Sequence, residues 1–131
     1  MCADAHDVAE PAGRLSQRLT SSDPARAEAL REQGAARYDE LLSRHREAFL
    51  DHGAEFFAGA GGDPVRGLAL ALENVALRPV PRAYLVAIDA ALAATDVATA
   101  CRMVAESEPL QARHQVLANR ASELERTCSR L

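Results

Sequence analysis

The sequence contains no lysine and no tryptophan. All fifteen of its basic residues are arginine, set against nineteen acidic ones. Without lysine there is no Schiff-base chemistry, no phosphate-loop lysine and no lysine general base. Basic charge is also short. The net charge of −4 argues against general nucleic-acid binding, which depends on neutralising phosphates. Aromatic residues are scarce, at three Phe and two Tyr. The three cysteines, Cys2, Cys101 and Cys128, lie far apart and form no CxxC pair. An odd, scattered set predicts free thiols in a reducing compartment, not a disulfide framework. No apolar run reaches membrane-spanning length. No basic start with a following apolar stretch marks a secretory signal. The expected location is therefore cytoplasmic, away from membranes. GxSxG, P-loop, HExxH, Gly-rich dinucleotide and EF-hand strings are all missing. No catalytic residue, cofactor or enzymatic activity is predicted.

Alanine is what the sequence has in abundance. It has the highest helix propensity and little bulk. With few β-branched runs, the chain reads as all-α with closely spaced helices. Its 131 residues suit a single domain.

The stretch Pro64–Arg78 is central to this reading. From Gly67 to Leu77 only Glu73 and Asn74 interrupt an apolar run. A helix apolar nearly all round is expected to be walled in on several sides. Asp63 and Pro64 mark its start, and Pro79 and Pro81 its end.

The remaining segments supply the walls. Residues 1–22, with Cys2 and His6, show no sustained period and read as a disordered or loosely docked arm. The domain proper is 23–131. Asp23-Pro24 repeats the cap signal. Ala27, Leu30, Gly34, Tyr38, Leu41, Leu42 and His45 then fall at helical spacing over about 24–44. A helix continuing to Phe57 would be too long for so small a domain, so a bend is expected at Ser43–Arg46. A second apolar face, Phe49 to Phe57, ends at a glycine cluster. Further helices are expected at about 82–94 and 97–106. A last one should start at Pro109, with Leu110, His114, Leu117, Ala121, Leu124, Cys128 and Leu131 on its dry stripe. Cys101 and Cys128 are expected to behave as small buried hydrophobes.

Two segments share a layout. Gly62-Asp63 and Thr95-Asp96 each place a turn residue, an aspartate cap and, four residues after the cap, a small residue (Gly67, Ala100). Helix-turn-helix units at a period of 33 residues, as between Gly62 and Thr95, point to an α-solenoid. Here the chain resembles the tetratricopeptide repeat family over about residues 45–106. The run A-L-x-N-x-A-L-R-P-x-P-R-A-Y, Ala71 to Tyr84, is similar to bacterial members of that family. The resemblance implies stacked helical hairpins forming a short solenoid, capped by the helices at 24–44 and 110–130. It implies a protein or peptide partner held in a groove lined by the first helix of each repeat. Asp51, Glu55, Arg82 and Asp89 are its implied partner-binding residues.

Other candidates are weaker. Glu47, Asp51 and Glu55 stack on one helical side near His52 and His45. Metal binding needs ligands converging from more than one element, and none clearly joins them. Asn74 is expected to satisfy its amide on a neighbouring backbone group. Two further classes of function compete with the interaction module. One is a structural protein that dimerises through the last helix as a short coiled coil. The other is a small helical-bundle enzyme or metal protein.

Overall fold

Aspartate caps open three of the helices. Asp23 accepts from the Arg26 N–H at 3.1 Å, Asp63 from Arg66 at 3.2 Å and Asp96 from Thr99 at 3.0 Å. The structure, a computed structural model, describes residues 14–18 and 22–131. Among these residues all regular structure is helical. The helices are α1 (Pro24–Ala58), α2 (Pro64–Leu77), α3 (Pro81–Ala93), α4 (Val97–Glu106), α5 (Glu108–Gln111) and α6 (Gln115–Ser129). Residues 14–18 are also helical, and Ser16 is buried with its hydroxyl donating to the Ala27 carbonyl at 2.6 Å. The rest of the expected N-terminal arm, with Cys2 and His6, lies outside the described residues.

The bend expected at Ser43–Arg46 is a full reversal. His45 leaves helical geometry at φ −139°, ψ 53°. A straight helix would separate residues 38 and 57 by about 28 Å. Instead the Tyr38 and Phe57 rings lie 6.3 Å apart, and Arg31 donates to the Ala60 carbonyl at 3.0 Å. The two arms of α1, 24–44 and 46–58, therefore run antiparallel. Residues 43–48 at the tip are all exposed. Each arm carries its own apolar face, and the two faces bury each other, which drives the reversal without proline or glycine.

The 46–58 arm next pairs antiparallel with α2. Gly67 permits the close crossing: a Cβ there would sit 2.6 Å from the Ala58 nitrogen and 2.9 Å from the Ala54 carbonyl. Arg46 grips Glu73 at the other end through two hydrogen bonds, at 2.8 and 2.7 Å. The shared layout of the two turn segments extends to the backbone. Gly62 and Thr95, each just before its aspartate cap, both have left-handed φ, at 66° and 56°.

The enclosed helix is α3, not α2. α3 packs against α1, α2, α4 and α6. It buries Ala83, Tyr84, Val86, Ala87, Ile88, Ala90 and Ala91. α2 buries one side only. Val65 is 73 % exposed and Leu77 43 %, and Glu73 lies in solvent. Its exposed side also carries Ala69 and Ala76, and alanine costs little to leave wet.

The C-terminal end departs from expectation in two ways. α5 stops at Gln111, and α6 begins only after His114, whose Nδ1 accepts from the Leu117 N–H at 3.2 Å. His114 is thus a helix cap, not a member of the dry stripe. Cys101 and Cys128 are not free thiols; they form a disulfide with Cα atoms 5.4 Å apart. α6 lies along α4 and brings its last turn beside the middle of α4, at Cys101. The pairing arises from tertiary packing, so sequence spacing carried no sign of it. The bond also runs against the expectation of a reducing compartment, because disulfides persist mainly in oxidising ones. Among the described residues, no helix is long and apolar enough to cross a membrane.

Candidate functional site

The 46–58 arm of α1 and α3 lie side by side, and the first turns of α6 close one end. Between them is a trough of about 370 Å³. Its floor and walls are Ala58, Leu85, Val86, Ala90, Ala93 and Val116. Alanines predominate where the helices meet, and small side chains leave the space that larger ones would fill. Glu55, Arg82, Asp89 and Arg120 rim it.

The rim is held by ion pairs. Arg82, at the first turn of α3, donates its Nε to Asp51 at 2.9 Å and an Nη to Glu55. Arg120 reaches from α6 to Asp89 on α3 and to Glu123 at 3.2 Å on its own helix. Partial burial pushes the Asp51 carboxyl up, but the Arg82 hydrogen bond, the His52 and Arg82 charges and the His52 backbone N–H together hold it below its ordinary value. Arg82 is shifted up, chiefly by its hydrogen bond to Asp51. Both groups are charged at neutral pH.

Three of the four residues singled out in the sequence, Glu55, Arg82 and Asp89, line this trough, and Asp51 is tied to it through Arg82. Arg120 and Val116 were not anticipated. Arg120 lies outside the dry stripe of the last helix, and nothing local reveals that it crosses to α3.

A second, polar hollow of about 210 Å³ adjoins the first, and Arg82 lines both. Asp51, His52, Asn74 and Arg78 contribute to it. Asn74 is buried, but its side chain meets the Arg78 guanidinium at 3.4 Å instead of a backbone group. Arg78 also donates to the Glu47 carbonyl at 2.5 Å. Among the described residues, no group of three or more His, Cys, Asp or Glu side chains is placed to hold a metal ion.

Comparison with family models, curated proteins and solved structures found no match for this chain. The functional reading therefore rests on residues and geometry. An apolar trough of this volume falls within the range of sites that take small ligands or anchoring side chains, about 300–1,000 Å³. Its polar groups are already paired with one another.

Proposed function

We propose that this chain is a small helical interaction module that holds a peptide segment of a protein partner in the trough between α1, α3 and α6. The observation that carries the proposal is the convergence of four charged residues, Glu55, Arg82, Asp89 and Arg120, around one apolar floor, with Asp51 holding Arg82 from behind. Apolar contacts on that floor would supply most of the affinity, and the rim charges would set orientation.

The tetratricopeptide-like reading is supported by the order of packing. The hairpin of 46–58 with α2 is followed by that of α3 with α4, and the first helices of the two hairpins lie together. The matching left-handed turns at Gly62 and Thr95 support it further. In this reading the 24–44 arm and α6 cover the two ends. The stripe on the last helix that could have paired two chains packs Leu117 and Leu124 on its own core and bonds Cys128 to Cys101. The peptide reading is preferred for that reason.

The test is a binding screen of purified protein against immobilised peptides, repeated with Arg82→Glu and Ala93→Trp. Both changes are expected to reduce every interaction found with wild type. Binding that survives both changes overturns the trough as the site.

A further inference from the structure

The rim of the trough is balanced in its own lining, Glu55 and Asp89 against Arg82 and Arg120, but the further partners of those cations, Asp51 and Glu123, add two carboxylates just outside it. Arg82 and Arg120 are its two cations. Arg82 is engaged by Asp51 and Glu55, and Arg120 by Asp89 and Glu123. Four carboxylates thus surround two guanidinium groups. A carboxylate has about four lone-pair positions, so these pairings leave acceptor capacity unused. The side chains of Glu55, Asp89 and Glu123 are 44 %, 53 % and 66 % exposed, open to an incoming donor. Each cation of the rim, by contrast, already has two anionic partners. An incoming carboxylate could still reach a spare N–H of either guanidinium, but it would enter among four carboxylates set against two cations.

We infer that the trough selects peptide segments in which an apolar side chain is flanked by lysine or arginine. This rests on the trough being the binding site. The apolar residue fills the space over Leu85, Val86 and Ala90. The basic neighbours meet Glu55 at one side, and Asp89 with Glu123 at the other. Acidic flanks are rejected by the same carboxylates, and that rejection discriminates as strongly as the attraction. Exposed ion pairs are individually weak, contributing roughly two- to fivefold each in affinity. Two together give a preference of about tenfold. That preference should shrink with added salt, since rim charges are screened.

Three sets of short capped peptides with a central leucine test this, with flanks of lysine, serine or glutamate. Affinities are read by fluorescence anisotropy against the full chain at low and high salt. The expected order is lysine, then serine, then glutamate, with the spread narrowing at high salt. Asp89→Asn combined with Glu123→Gln changes exposed groups only and leaves Arg120 without its carboxylate partners. It should cut the preference for lysine severalfold, leaving at most the share that Glu55 supplies, while urea midpoints confirm the fold. Lysine and glutamate sets that bind equally, with Ala93→Trp still blocking both, overturn the inference and leave the trough standing as the site. Absence of binding by every set, or binding untouched by Ala93→Trp, overturns both.

Discussion

Removal of the Cys101–Cys128 bond is expected to release α6 ahead of the rest of the chain. The bond spans 27 residues of sequence. On loop-entropy grounds such a link contributes roughly 3.5 kcal/mol. Little else holds α6 down. Leu117 is its one fully buried residue, and burying a leucine is worth about 1.5–3 kcal/mol. The Arg120 pair with Asp89 is largely solvated and adds about 1 kcal/mol at most. A domain of this size has about 5–15 kcal/mol in total, so the bond is a large share. The double variant Cys101→Ser/Cys128→Ser, or the reduced wild type, should be followed by amide hydrogen exchange. Protection across 115–129 should fall by roughly two orders of magnitude, and further than that of α3. Peptide affinity should fall with it, because α6 supplies Val116 and Arg120 to the trough. If α6 without the bond stays as protected as α3, helix packing rather than the disulfide holds it, and the reasoning fails.

Gly67→Ala should destabilise the chain by up to about 2 kcal/mol. Overpacking against main-chain atoms that cannot move aside costs about 1–3 kcal/mol, and better helix propensity returns roughly 1 kcal/mol. A thermal scan showing an unchanged Tm would rule out the close crossing. Thr95→Gly should act in the opposite sense. A β-branched residue at φ 56° carries about 1–2 kcal/mol of strain, partly cancelled by the greater freedom of glycine in the unfolded chain. A urea midpoint at or below wild type would contradict this. Asp51 has a folded pKa below its unfolded value, so the unfolded state takes up protons first as pH falls. Its contribution is complete above about pH 4 and is lost as pH drops through the lower folded value. Urea midpoints between neutral pH and about pH 3 should show this loss in wild type and less of it in Arg82→Met. Equal acid sensitivity in the two would refute the pairing.

The helices were legible in the sequence because their ends are written locally. Asp23, Asp63 and Asp96 are side-chain caps, and each acts within three residues of itself. Gly67 was legible only as the small residue of the shared layout, and the close approach of Ala54 and Ala58 supplies the reason. The reversal at His45 was under-read as a bend. Its sign was the run of five residues without an apolar side chain at 43–47, with no glycine or proline to announce a turn. The enclosure of α3 rather than α2 depends on which faces find partners, and apolar content alone does not decide that. The Cys101–Cys128 bond and the reach of Arg120 both join α6 to earlier helices. Only the assembled packing reveals them. For the same reason three of the trough's charged residues could be named in advance and the fourth could not.

The single non-helical residue at His45 has a consequence for how two molecules could meet. Were His45 to take helical dihedrals, α1 would become one rod of 35 residues, about 52 Å long. Its leading arm would then swing away from Phe56 and Phe57 and leave their surface bare. An identical arm from a second copy would fit that vacancy, and two copies trading arms would close a symmetric dimer built from the contacts of the monomer. His45→Ala favours the straight form by helix propensity, and it should raise the exchanged fraction seen by size-exclusion chromatography after refolding at high concentration.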